Sequence, residues 1–151
     1  MKLIEGVTVS KLRQIFDERG KVMHMLKNDD NIFESFGEIY FSSTNPNAIK
    51  AWHLHKEMTL NYCCVFGSLK LVLYDSRIDS STFGEIMEII ISPENYLLVS
   101  VPPGIWNGFK CISVEPALLA NCASIPHDPH EIERIEFNSK KIPYKWDIKH
   151  G

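Results

Sequence analysis

Apolar and polar positions alternate along this chain in short runs punctuated by turn-forming residues, a pattern that predicts strands rather than helices. Apolar, β-branched or aromatic runs occupy Val7–Ile15, Gly37–Phe41, Ile49–Leu54, Leu60–Phe66, Leu69–Tyr74, Ile86–Ile91, Tyr96–Val101, Gly108–Ile112 and Pro116–Ala123. Between them lie Asp17-Glu18-Arg19-Gly20, Asn45-Pro46-Asn47, Phe66-Gly67-Ser68, Ser92-Pro93-Glu94-Asn95 and Pro102-Pro103-Gly104, all rich in residues that favour tight turns. Many short strands at this spacing point to an all-β sandwich or barrel. One or two helical turns are expected near Asn31–Phe36, and the segment from Ile142 to Trp146, broken by Pro143, is expected to lie extended or irregular on the body.

Two features of the pattern carry chemistry. Within Lys50-Ala51-Trp52-His53-Leu54-His55-Lys56, the two histidines are separated by one residue, so on a strand both project from the same face. On the run Leu60–Phe66, Leu60, Tyr62 and Cys64 share one face and Asn61, Cys63 and Val65 the other, and alternation alone does not say which is inside. Asp75 and Arg77 read as an ion pair closing the end of the run before them.

Composition narrows the reading. At 151 residues and 44% hydrophobic content, one domain spanning 1–151 with a sizeable core is expected. A net charge of −3 with interspersed signs gives no basic stripe, which argues against nucleic acid as partner. Glu5 interrupts the N-terminal apolar residues and no run approaches a membrane span, so a cytoplasmic protein without membrane attachment is expected. The four cysteines, Cys63, Cys64, Cys111 and Cys122, form no CxxC spacing and are expected as buried free thiols.

The order of a His-x-His strand, a glycine turn, a later Pro-x-Gly turn and short strands throughout resembles the cupin jelly roll. Three stretches resemble the dTDP-4-dehydrorhamnose 3,5-epimerase family more closely. They are Asp17-Glu18-Arg19-Gly20, the string Asp75-Ser76-Arg77-Ile78-Asp79-Ser80-Ser81-Thr82-Phe83-Gly84, and Pro102-Pro103-Gly104-Ile105-Trp106-Asn107-Gly108-Phe109. The likeness runs from about Phe16 to about Trp146, and Lys-Ala-Trp-His-x-His-Lys with an Ile-Pro-Tyr-x-Trp tail is similar to a shorter branch of that family.

That resemblance implies proton transfer beside the keto group of a nucleotide-linked 4-keto sugar, in deoxysugar or surface-polysaccharide biosynthesis. A base removes a proton from a carbon next to the carbonyl, donors hold the enolate, and an acid returns a proton to the opposite face. His53 falls on the family's base. Lys50 replaces its arginine, keeping the charge but losing the planar fork. Arg19 falls on a phosphate-binding arginine, with His24 where the family has glutamate. Leu60 stands where the family has a second cation, the family's acid tyrosine would fall near Ile125 or Pro126, and the aspartate orienting the base would fall near Ser139. The likeness turns the Leu60 face inward, so Tyr62 is expected to take the role of acid, with Tyr40 a second candidate. His55, Asn107, Tyr40 and Arg19 are expected to bind substrate. The cupin metal pattern also starts with His-x-His, but its glutamate falls at Leu60 and its later histidine at Asn107, leaving Glu57 as the nearest carboxylate; neither metal nor other cofactor is expected. Trp106 and Phe109 are candidates for stacking on a ring, and His127 and His130 for an exposed loop at the cavity mouth. A homodimer is expected, since an open sandwich leaves edges to cover. A 3,4-ketoisomerase and a non-catalytic sugar-nucleotide-binding cupin are the competing readings.

Overall fold

A computed structural model describes residues 1–151 and contains twelve β-strands and no α-helix. In chain order these are β1 (Thr8–Lys11), β2 (Gln14–Asp17), β3 (Gly20–Met23), β4 (Glu38–Thr44), β5 (Ile49–His55), β6 (Leu60–Phe66), β7 (Leu69–Asp75), β8 (Ile86–Ile91), β9 (Leu97–Val101), β10 (Ile105–Cys111), β11 (Ala117–Ala123) and β12 (Ile132–Arg134). One five-stranded sheet runs β1-β9-β6-β11-β4, a second runs β12-β5-β10-β7-β8, and β2 with β3 forms a separate hairpin. Every pairing is antiparallel, giving the cupin-like sandwich expected.

The sheets pack through alternating inward residues. Leu60, Tyr62 and Cys64 of β6 meet Leu69, Leu71 and Leu73 of β7 and Met87, Ile89 and Ile91 of β8 in the main core. The Leu60 face is therefore the inner one. The central strands are covered on their outer faces too, which explains why their sequences read as near-continuous apolar runs. Cys63, Ala120 and Tyr96 lie beneath Leu12, Met23 and Met25, whereas Trp52, Val72 and Trp106 lie beneath Ile142 and Trp146 of the irregular C-terminal tail. All four thiols are free and buried, and burial pushes Cys63 up to about 11 and Cys64 to about 12.

Two expectations are corrected, and one strand is added. No helix forms at Asn31–Phe36; the stretch is turn and irregular chain, and Phe36 is left exposed with no apolar face to anchor a helix. The run Val7–Ile15 divides at Leu12–Arg13 into β1, which joins the first sheet, and β2, which leaves it for the hairpin. Ile132–Arg134 adds a strand that the sequence pattern did not suggest, pairing with β5 as the outer strand of the second sheet.

A bulge in β5 shapes the region between the sheets. On β10, Asn107 pairs with His53 but Phe109 pairs with Lys50, so β5 carries one extra residue across this interval and the alternation resets, which places Lys50 on the same side as His53. Gly108 lies opposite the bulge, where a Cβ would come within 2.4 Å of the Ala51 Cβ. At the other end of β5, Gly104 adopts φ +86° in the Pro102-Pro103-Gly104 turn, and its N–H donates to the His55 carbonyl at 2.7 Å.

Candidate active site

Between the sheets, where β4 faces β5 and β12, opens a cavity of about 420 Å³. Its two walls differ in chemistry. Period-two spacing on β5, with the bulge, brings Lys50, His53 and His55 to one wall, joined by Ile132 and Arg134 of β12. The same spacing on β4 brings Glu38, Tyr40 and Ser42 to the other wall, backed by Tyr62 of β6 and Leu119 of β11. Imidazoles thus face phenols across the cavity. His127 also borders it, so the loop after β11 does reach the mouth.

Each group is tuned by its neighbours. Burial above all, with the positive charges of Arg134 and Lys50 nearby, lowers His53 from 6.5 to about 4, so it is neutral across the physiological range. Its side chain makes no hydrogen bond within the chain, and it stands between this cavity and a second, shallower hollow lined by Asn138 and Ser139. Lys50 reaches across the cavity end, its Nζ donating to Ser42 Oγ at 2.9 Å and the Ser43 carbonyl at 2.6 Å. Tyr62 is buried, and burial followed by the neighbouring Tyr40 raises its hydroxyl well above the usual phenol value. Its O–H donates to Asn107 Oδ1 at 3.0 Å, while Asn107 Nδ2 donates to the His53 carbonyl at 3.0 Å. Tyr40 differs: its oxygen accepts from Asn121 Nδ2 at 3.0 Å, which leaves its own proton uncommitted.

Behind the histidine wall, His55 Nδ1 is hydrogen-bonded to Glu131 Oε1, both side chains being buried. The other oxygen of Glu131 accepts from the backbone N–H groups of Lys56, Glu57 and Met58 at 3.1 to 3.2 Å. Burial would raise the Glu131 carboxyl, but the bonds from His55, Glu57 and Met58 outweigh it and hold the group below its ordinary value.

The sequence profile described as dTDP-4-dehydrorhamnose 3,5-epimerase matches residues 2–150. The chain belongs to that family. A relative from Haloferax volcanii, a probable low-salt glycan biosynthesis epimerase, is 35% identical over 157 residues and covers 100% of both chains. A spore coat polysaccharide biosynthesis protein of Bacillus subtilis is 29% identical over 149 residues, covering 97% of this chain and 99% of its own. Among solved structures, a dTDP sugar isomerase from Desulfovibrio desulfuricans superposes with a TM-score of 0.93 at 43% identity, covering 95% of this chain and 92% of that one.

Placed in this epimerase framework, the residues singled out from sequence separate into groups. His53, His55, Lys50, Tyr40 and Tyr62 converge on the cavity. Asn107 is not among the residues that line it; its Oδ1 accepts from Tyr62 and its Nδ2 donates to the His53 carbonyl, so it joins Tyr62 to β5. Arg19 lies at the tip of the β2–β3 hairpin, away from the cavity of its own chain, paired with Asp17 at 2.7 Å in solvent. Phe109 borders the cavity from the core, whereas Trp106 packs under the C-terminal tail. Leu60, at the family's lysine position, is core, and Ser139 lines the hollow beside His53 without supplying a carboxylate. Glu57 sits on the turn after β5, and no three His, Cys, Asp or Glu side chains cluster as a metal site would need. The sequence reading missed Glu131, Arg134 and Glu38. The only sequence signal for Arg134 was its period-two spacing from Ile132, in a strand too short to be recognised.

The string Asp75 to Gly84, the most specific of the family-like motifs, lies outside the cavity. The fully buried Asp75 carboxylate accepts from Arg77 N and Nε at 3.0 and 2.8 Å, Arg77 Nη2 at 2.9 Å, Ser80 Oγ at 2.6 Å and Thr82 Oγ1 at 2.7 Å. Arg77 Nη2 also donates to the Glu5 carbonyl at 2.7 Å, stitching the N-terminus to the β7–β8 connection.

Proposed function

We propose that this protein, acting as one cupin domain over residues 1–151, epimerises a nucleotide-linked 4-keto-6-deoxysugar at the carbons flanking the keto group, in the cytoplasm, for surface-glycan assembly. The observation that carries the reading is the imidazole wall facing the phenol wall. Inverting a carbon requires a proton to leave one face and return to the other, and the cavity volume suits a sugar ring. Family membership and the glycan-biosynthetic relatives point the same way.

In this mechanism, His53 takes the proton next to the carbonyl. The C–H electron pair passes into the enolate, whose oxygen meets the positive charge of Lys50 and Arg134. Tyr40 delivers its free proton to the opposite face. Tyr62, whose proton is held by Asn107, supports Tyr40 from behind. A homodimer extends the site. Ile39 and Phe41 on the outer face of edge strand β4 are 54% and 62% exposed, and the β2–β3 hairpin exposes Phe16 at 68%. A hairpin from one copy laid over β4 of the other would cover both patches and carry the Arg19 guanidinium to the neighbouring cavity, where it would hold a diphosphate.

The test is proton NMR in D₂O with a panel of nucleotide-linked 4-keto-6-deoxysugars, with His53→Asn as control. Deuterium entering beside the keto group, and lost at one or both flanking carbons in the control, supports the reading; a shifted carbonyl in the product identifies a ketoisomerase instead. Thermal stabilisation by a sugar nucleotide without any exchange leaves a binding protein, the reading favoured by Leu60 in the core and the lack of a carboxylate at Ser139.

A further inference from the structure

We infer that the cavity holds two bases, and that His55, its tautomer fixed by the positioning residue Glu131, serves one of the two carbons flanking the keto group while His53 serves the other. The inference rests on the epimerase reading above. Of the two histidines, His55 is the one with a carboxylate partner: Nδ1 meets Glu131 Oε1, and the opposite carboxylate oxygen is fixed by three backbone N–H groups. A carboxylate can only accept, so Nδ1 carries the hydrogen and the lone pair of neutral His55 lies on Nε2. Nε2 has no partner within the chain, and the side chain borders the cavity. This arrangement orients a general base and stabilises the imidazolium it becomes.

His53 and His55 stand two residues apart on one face of β5, on the order of 7 Å along the strand, and both border the same cavity. The carbons next to the keto group lie on either side of it, so a ring lying flat between the walls with one face toward β5 presents one acidic C–H to each imidazole and its other face to Tyr40. When His55 acts, Nε2 takes the proton, the C–H pair becomes the enolate double bond, and the carbonyl π pair moves to oxygen. Reprotonation by the Tyr40 O–H from the opposite face leaves a phenolate. The imidazolium and phenolate then neutralise each other through solvent, so no co-reactant is consumed.

Glu131→Gln is the decisive variant. A glutamine keeps the shape and can still accept the backbone N–H groups, but its amide N–H₂ donates toward Nδ1. That moves the His55 hydrogen to Nε2 and turns the base into a donor. In D₂O, wild-type protein is expected to wash deuterium into both flanking carbons. In Glu131→Gln and His55→Gln, one carbon is expected to lose about 100-fold or more of its rate, while the other stays within a few-fold of wild type. His53→Asn is expected to spare the carbon that Glu131→Gln silences. Nitrogen-15 NMR of labelled histidine is expected to show the Nδ1–H tautomer for His55 in the unliganded wild type, without recourse to any variant. Equal loss at both carbons, unchanged exchange in both variants, or an Nε2–H tautomer in the wild type overturns the two-base assignment while leaving epimerisation intact. A wild type that exchanges neither carbon overturns both readings.

Discussion

Two polar clusters in this molecule differ in how completely their hydrogen bonds are matched, and they behave in opposite ways. Around Asp75, every strong acceptor is matched: the carboxylate takes five hydrogen bonds from Arg77, Ser80 and Thr82, and burial, which alone would raise its pKa, is outweighed so that the group stays well below the usual range. Around the cavity, matching is deliberately incomplete. The His53 side chain, His55 Nε2 and the Tyr40 proton lack partners within the chain, although the side chains around them are tightly placed. A satisfied cluster stores stability, whereas a cluster with open donors and acceptors can exchange protons with something that enters.

The sharpest way to break the comparison is to exchange the roles by mutation. His53→Asn is expected to slow exchange beside the keto group by about 10² to 10⁴-fold at the carbon it serves, with the melting temperature unchanged or higher. Asp75→Asn is expected to do the reverse, costing about 3–5 kcal/mol of folding stability because Arg77 is left without its buried partner. Chemical denaturation measures this, and exchange per folded molecule at low temperature should stay near wild type.

Acid separates the clusters with a smaller effect. His53 is lowered in the folded state, from 6.5 to about 4, so the unfolded chain binds more protons in that interval and stability falls as pH drops from about 6.5 toward 4. The loss is about 3 kcal/mol, and His53→Asn should abolish it in melting curves recorded across the interval. Asp75 is also depressed, but it is an acid. Its contribution persists above the unfolded value of about 3.9 and is lost only as pH falls below that, so the two losses are expected in sequence. The smallest effect on the isolated fold is expected for Arg19→Ala, which removes an exposed contact and should leave the melting curve unchanged while weakening affinity for a nucleoside diphosphate.

Legibility in the sequence followed the same division. Strands such as β6 and β7 were visible because their apolar residues form the core, and the turn at Asp17–Gly20 because its residues favour one. The hairpin was fused with β1 because Leu12, at the break, is itself apolar and packs against the cluster around Cys63. His53 and His55 were found from local spacing and Lys50 from the family resemblance, although the bulge that turns Lys50 toward the cavity depends on β10. Glu131 was not found, because its meaning arises only when it meets His55 across 76 residues. For Asn107 the sequence names the amide but not its two partners in the fold, the Tyr62 hydroxyl and the His53 carbonyl.

The C-terminal tail has an optical consequence. All three tryptophans of the chain, Trp52, Trp106 and Trp146, gather in one cluster on the outer face of the second sheet, with Trp52 and Trp146 ring centroids 5.0 Å apart. Trp52 is also the chain neighbour of His53. The protein's indole emission is therefore a single local gauge, and lifting the tail or moving β5 when the cavity fills would change its colour and intensity with no label attached.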